Sequence, residues 1–206
     1  PLPGTAMKLS DSGEIYLAGP HIMAGYHRNP EATAQVLDAD GWFYTGDVGT
    51  VDKNGFLTIT GRKKELIVTA GGKNVAPAVL EDKLRGHPLV SQVVVVGDQR
   101  PFVGALITID SEMLPGWLIS HGLPAMDAAE ASVHPEVLAA LQRAVDRTNK
   151  QVSRAESIRK FTIVPGDFTE DNGLLTPSLK VKRERVFERY GALIEELYVD
   201  NRKEKK

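Results

Sequence analysis

The chain has 206 residues and a formal net charge of −2, so its charge balance gives no reason to expect a nucleic acid as partner. It has no cysteine, which excludes a disulfide frame, a thiolate metal site and a cysteine nucleophile. With 42% hydrophobic and 25% charged residues it reads as one globular domain or two small ones, and no apolar run reaches transmembrane length.

Taken in order, residues 1–62 read as short strands and turns. Glu14–Ala18 alternates polar and apolar residues as a half-buried strand does, and Gly19-Pro20 ends it. Asn29-Pro30-Glu31 opens a short helix through Leu37, with Asn29 as N-cap and Pro30 at the first helical position. Asp40-Gly41 closes it. Lys53-Asn54-Gly55 is a hairpin signal between two strand-like runs. This places Tyr44-Thr45-Gly46-Asp47 and Gly61-Arg62 on neighbouring strands of one hairpin. Too few apolar positions occur here for an independent core.

After Lys64 the pattern becomes α+β. Glu65–Val68 reads as a short strand, and Gly71-Gly72-Lys73 as a strand-to-helix loop. Asn74–Arg85 reads as a helix with Pro77 in its first turn and Val79, Leu80, Lys83 and Leu84 at helical spacing. Gly86-His87-Pro88 stops it. Val90–Val96 and Val103–Ile109 are β-branched runs that should pair antiparallel. A short helix follows around Met113–Ser120, then a longer one from Pro135 to about Val152, with Val137, Leu138, Leu141, Val145 and Val152 on one face. Phe161–Val164 is a further strand, and residues 165–178 form a polar loop. The last helix runs from about Lys182 to Tyr198 along the stripe Val186, Tyr190, Ile194 and Leu197. The tail from Asn201 onward is polar and expected to fray.

Several residues are candidates for chemistry. Asp47 offers two acceptor oxygens, a match for the vicinal hydroxyls of a ribose, beside a glycine that blocks no approach. A turn-capping aspartate is the plainer alternative for Thr-Gly-Asp alone. Arg62 presents a planar fork of donors suited to phosphate or ribose oxygens. A Gly-Gly pair satisfies a turn without any ligand, so Gly71 and Gly72 gain meaning only from their distance to Arg62. Lys180, in Thr176-Pro177-Ser178-Leu179-Lys180-Val181-Lys182-Arg183, is a mobile point charge that can meet a carboxylate and an α-phosphate together. With Lys182, Arg183 and Arg185 it equally forms a solvated basic face. The five histidines show no ligand spacing, and no metal site is expected.

The stretch Gly41-Trp42-Phe43-Tyr44-Thr45-Gly46-Asp47, with Gly61-Arg62-Lys63-Lys64-Glu65-Leu66 and Gly71-Gly72-Lys73-Asn74 following, resembles the adenylate-forming enzymes: acyl-CoA synthetases, luciferases and peptide-synthetase adenylation domains. Thr-Pro-Ser-Leu-Lys-Val-Lys-Arg and the long insertion between Asp110 and Phe161 resemble the long-chain fatty-acid CoA ligase branch. The resemblance implies an α+β fold: a small mobile C-terminal lid domain, with a short antiparallel sheet flanked by helices, preceded by the β-rich end of a large N-terminal domain. It implies domains at 1–63 and 64–206, with Lys64 at the hinge. Asp47, with Tyr44, Thr45 and Arg62, would bind the nucleotide. Lys180 would serve adenylation, and Gly71, Gly72 and Lys73 would line the path of the CoA arm. One departure stands out: most relatives have glycine directly before this lysine, and here Leu179 takes the place.

The resemblance covers only the C-terminal part of the family's pattern. The phosphate loop and acyl tunnel are absent, and an opening of PLPGTAMKL fits a piece of a longer protein. That parent would use ATP with Mg²⁺ to convert a fatty acid to an acyl adenylate, then transfer the acyl group to CoA. The 206-residue chain alone is expected to be inactive. A carrier protein in place of CoA is the nearest alternative; a non-catalytic binding module is a more distant one. The expected location is the cytoplasm, with room for peripheral association of the parent with a membrane.

Overall fold

The computed structural model describes residues 3–199. The chain divides into two compact units, Pro1–Leu66 and Ile67–Lys206.

In the first unit, polar turns connect short strands into an antiparallel sheet: β1 (Ala6–Leu9), β2 (Glu14–Ala18), β3 (Phe43–Val51) and β4 (Leu57–Arg62), in that order. The strand β1 is not legible as such in the sequence; it forms because Ala6–Leu9 pairs residue for residue with β2. Helix α1 (Pro30–Val36) starts as its capping residues dictate, with the Asn29 side chain accepting from the Ala32 amide at 3.0 Å. The β3–β4 turn is tied by Asp52, whose Oδ1 accepts from the amides of Asn54 and Phe56. Among the described residues of this unit, Ile15 and Val48 are the buried hydrophobics, alongside the buried carboxylate Glu14. The meagre core expected from the sequence is what folds.

The second unit is built on a three-stranded sheet of β7 (Val90–Val96), β8 (Val103–Ile109) and β9 (Ile158–Ile163). The hairpin β5 (Ile67–Val68) and β6 (Asn74–Val75) precedes helix α2 (Pro77–Arg85). Helices α3 (Leu114–Ser120), α4 (Ala128–Ala131) and α5 (Pro135–Asn149) lie between β8 and β9, and α6 (Arg183–Tyr198) ends the described chain. Strands β7 and β8 pair antiparallel as predicted, whereas β9 joins β8 in parallel. A parallel neighbour needs a crossover of a dozen residues or more, which the α3–α5 insertion supplies. Both faces of the sheet are covered, so every residue of β8 is buried. Along β7, Val93 and Val95 enter a core with Leu80, Leu84, Val137, Leu141 and Val145. Val94 and Val96 face a second core with Phe168, Leu174, Leu175, Val186, Tyr190 and Leu197.

The α+β class holds, with local corrections. Asn74 and Val75 are a strand, not the start of a helix; Pro77 disfavours helical backbone at Ala76, and α2 begins at the proline. Lys63–Glu65 is a 3₁₀ turn, so the following strand covers Ile67–Val68 alone. Helix α5 stops at Asn149, whose side chain brackets Ile158 through both its backbone groups and so aligns the first residue of β9. Leu138 is 37% exposed and falls off the buried face of α5 that Val137, Leu141 and Val145 share. The polar tail from Asn201 lies outside the described residues.

Candidate functional site

In the first unit the antiparallel register sets Asp47 directly opposite Arg62. The guanidinium binds across the strands, with Arg62 Nε at 2.9 Å from Asp47 Oδ1 and Nη1 donating to the Thr45 carbonyl at 3.3 Å. Gly46 between them has φ +70, a left-handed backbone, and a Cβ there would lie 3.9 Å from Arg62 Nη1. Thr45 holds the turn from within. Its hydroxyl donates to the Ile15 carbonyl at 2.8 Å and accepts from the Asp47 amide at 3.0 Å. The pair is solvent-accessible: Arg62 is exposed and Asp47 half-buried. It therefore offers a carboxylate and a forked donor side by side at the end of a hairpin. Tyr44 is occupied locally; its hydroxyl donates to Asp38 Oδ2 at 2.9 Å and its ring packs on Tyr16. The Trp42 amide, with Tyr44, holds the Asp38 carboxyl below the usual range, and the Asp38 carboxylate in turn pushes the Tyr44 hydroxyl up. Tyr44 thus anchors the loop before the Thr-Gly-Asp turn.

Lys64 lies in the 3₁₀ turn, exposed and without an ion pair among the described residues. Its neighbour Lys63 behaves differently: Nζ donates to the buried Glu14 at 2.7 Å, and that hydrogen bond raises the ammonium pKa.

In the second unit, Gly71, Gly72 and Lys73 form the tip of the β5–β6 hairpin rather than a strand-to-helix loop. Thr69 closes the tip, its carbonyl accepting from Gly72 N–H at 2.8 Å and its amide donating to the Lys73 carbonyl at 3.1 Å. Gly72 has φ +75, and nothing lies within 4 Å of a Cβ built on it. The tip is exposed, and Lys73 reaches Glu156 at 3.6 Å. Burial works against ionisation of Glu156, but hydrogen bonds from Ser153 and the nearby Lys73 hold its pKa below the ordinary value.

Lys180 sits in a tight turn just before α6. The Thr176 amide donates to the Lys180 carbonyl at 2.8 Å, and the Lys180 amide donates to Thr176 Oγ1 at 3.1 Å. Leu175 and Val181 bridge on either side. Leu179 has φ +59, the conformation that glycine adopts without cost, so the departure from glycine is carried as local strain. The Lys180 side chain is exposed and makes no ion pair among the described residues. A fixed backbone under a free ammonium suits a charge presented to a ligand. No hydrogen bond or ion pair among the described residues joins Lys180 to the Gly71–Lys73 tip.

The basic cluster read around Lys180 is split by the fold. Arg185 pairs with Glu188 on the surface, while Arg183 turns inward onto Glu81. Glu81 was missed in the sequence, although one signal existed: it falls on the buried face of α2 with Pro77, Leu80 and Leu84, where a carboxylate needs a partner. The described residues contain no group of three or more His, Asp or Glu that could hold a metal ion. They also contain no helix long and apolar enough to cross a membrane.

Residues 64–202 match the family model described as AMP-binding enzyme C-terminal domain. A long-chain-fatty-acid–CoA ligase, FadD15 of Mycobacterium tuberculosis, is 55% identical over 199 residues, covering 96% of this chain and 33% of the relative. The long-chain-fatty-acid–CoA ligase ACSBG2 of Gallus gallus is 39% identical, covering 91% of this chain and 27% of the relative. Among solved structures, the adenylation domain of a carboxylate reductase from Mycobacterium chelonae superimposes with a TM-score of 0.70 at 29% identity, covering 91% of this chain and 28% of that one. The corresponding domain from Segniliparus rugosus, in complex with AMP and a co-purified carboxylic acid, gives 0.68 at 31% identity, covering 90% and 28%. The chain spans about a third of the length of the curated relatives it matches. With the family model matched over residues 64–202 and a relative 55% identical over 96% of the chain, the chain belongs to the AMP-binding enzyme family and carries that family's C-terminal domain.

Proposed function

We propose that this chain is the C-terminal part of an ATP-dependent long-chain fatty-acid CoA ligase. The observation that carries the reading is the 55% identity with a long-chain-fatty-acid–CoA ligase across 96% of the chain. In the first half-reaction a fatty-acid carboxylate oxygen attacks the α-phosphorus of ATP. The new O–P bond forms as the bond to pyrophosphate breaks, leaving acyl adenylate. In the second, the CoA thiol attacks the acyl carbonyl, the C–S bond forms, AMP departs, and the thiol proton passes to solvent. Mg²⁺ would enter with the ATP phosphates; the described residues offer it no cluster of their own.

Asp47 accepts hydrogen bonds from the ribose hydroxyls, and Arg62 both orients that carboxylate and donates to the nucleotide. Lys180 places its ammonium between two anionic reactants, where charge on the α-phosphate grows toward the transition state. Lys64 is the hinge between a large adenylating domain ending near residue 63 and the lid from residue 64 onward. In its second position the lid presents the Gly71–Lys73 tip to the pantetheine arm of CoA. The open space around Gly72 supports that role, as does the solvated 3₁₀ turn at the hinge. On this reading the isolated chain does not form acyl adenylate, and the parent works in the cytoplasm or at a membrane surface.

The test is an assay of each half-reaction in the whole ligase. Lys180→Ala should slow adenylation by a factor of about 10²–10³, the scale of one lost transition-state contact, and leave thioester formation from supplied acyl adenylate nearly intact. Gly72→Leu should do the reverse. Equal slowing of both steps by Lys180→Ala would refute the two-position lid. A second reading, with a carrier protein as acceptor, draws support from the similarity to carboxylic acid reductase structures, one of them an A-PCP didomain. Release of AMP on adding holo-carrier protein but not CoA would establish it.

A further inference from the structure

Among the basic residues around Lys180, Arg183 is the one built into the fold. Arg183 Nη2 donates to both carboxylate oxygens of Glu81 at 2.6 Å, and Nη1 donates to the Val95 carbonyl at 3.3 Å. Glu81, 7% exposed, also accepts from the Val95 amide at 2.7 Å. One ion pair, with Glu81 buried and Arg183 half-buried, thus ties three elements together: α2 through Glu81, β7 through both backbone groups of Val95, and the first residue of α6 through Arg183. Stranding either charge would be costly, so the pair fixes where α6 can begin.

Lys180 lies immediately upstream of that anchor. Between them, the Lys182 amide donates to the Leu174 carbonyl at 2.8 Å, and the turn from Thr176 closes on the Lys180 carbonyl. The Lys180 backbone is therefore clamped from both ends: by the Thr176 turn on one side, and by the Glu81–Arg183–Val95 junction on the other. Surface ion pairs do not do this. Arg185–Glu188 is exposed on both partners and spans less than one helical turn.

We infer that Glu81 and Arg183 are positioning residues for Lys180, holding its ammonium at the reacting α-phosphate without touching substrate themselves. The inference rests on the adenylation role given to Lys180 above. Displacement of a reacting group by about 1 Å costs on the order of 10²-fold in rate, so loosening the junction should act on the step that uses Lys180.

The experiment is a double-mutant cycle in the whole ligase, with both half-reactions measured. Lys180→Ala alone first checks the underlying reading: unchanged adenylation would sink that reading and this inference with it. If Lys180→Ala is selectively slow, Arg183→Met and Glu81→Gln should each slow adenylation by a factor of about 10–10², leave thioester formation from supplied acyl adenylate little changed, and give no further loss when combined with Lys180→Ala. Arg183→Lys, which keeps the charge but not the fork, should recover part of the rate. The Glu81→Met/Arg183→Met double variant removes both charges without stranding one, so it keeps the fold testable if a single variant is unstable. It should show the same selective loss. The inference is overturned if both half-reactions fall together, or if Arg183→Met slows adenylation by the same factor with and without Lys180.

Discussion

Leu141 offers a direct test of the packing of the second unit. It is fully buried on α5, between Val137 and Val145 and against the face of the sheet that carries Val93 and Val95. Leu141→Ala removes three carbons. At about 0.8 kcal/mol per buried methylene, the lost transfer energy is ~2.4 kcal/mol. A cavity left among β-branched neighbours on a rigid sheet closes poorly and adds about 1 kcal/mol, for a total of ~3–4 kcal/mol. Leu138 is the internal control: three residues earlier on the same helix and 37% exposed, it should cost about 1 kcal/mol or less on truncation. The assay is urea unfolding followed by tryptophan fluorescence in a Trp42→Phe background, so that the signal comes from Trp117 in the second unit. Equal shifts in midpoint for the two variants, or a Leu141→Ala cost below about 1 kcal/mol, would refute the assignment of the α5 face.

Leu179→Gly should be neutral to stabilising by up to ~1 kcal/mol: it relieves a left-handed non-glycine backbone at the expense of chain entropy, and the leucine side chain is mostly exposed. A clear loss of stability would show that the side chain, not the backbone, matters there. His87 should make stability depend on pH. Burial, with the guanidinium groups of Arg147 and Arg143 nearby, holds its imidazole below the ordinary value of 6.5. Between that depressed folded value and 6.5 the unfolded chain binds the extra proton, so stability rises with pH through the window and levels off above it. His87→Asn should flatten this slope in thermal melts; an unchanged slope would assign it to other groups. Limited trypsin should cut first near Lys63 or Lys64, where the backbone is an exposed 3₁₀ turn, or in the basic tail from Asn201 onward. Early cleavage within α5 would contradict the domain division proposed here.

Much of the local structure was legible because it is set by neighbours in sequence. Asn29-Pro30 starts α1, Lys53-Asn54-Gly55 turns β3 into β4, and the β-branched runs of β7 and β8 pair across a short connection. The turn puts Asp47 and Arg62 on neighbouring strands, but their facing needs the register shift between Val48 and Gly49; continued without it, the ladder would set Asp47 opposite Gly61. The start of α2 was also available, in Pro77 and its effect on Ala76, but the periodicity of the following residues masked it.

What only the tertiary structure decided involves partners far apart in the chain. The two-residue strand at Asn74–Val75 exists through pairing with Ile67–Val68, and no propensity of its own requires it. The parallel seat of β9 on β8 depends on an intervening three-helix excursion, and its pairing energy is realised only after that loop closes. Leu138 and Leu141 are alike in a sequence pattern and differ only in what α5 packs against. Most telling is the basic run after Leu179: in sequence its charges are equivalent, but in the fold Arg183 is drawn 102 residues back to a buried Glu81 while Lys180 stays in solvent. Residue type and spacing identify which groups can ionise or turn the chain. Which of them is desolvated, and so tied to a partner, depends on surfaces brought together from both ends of the domain.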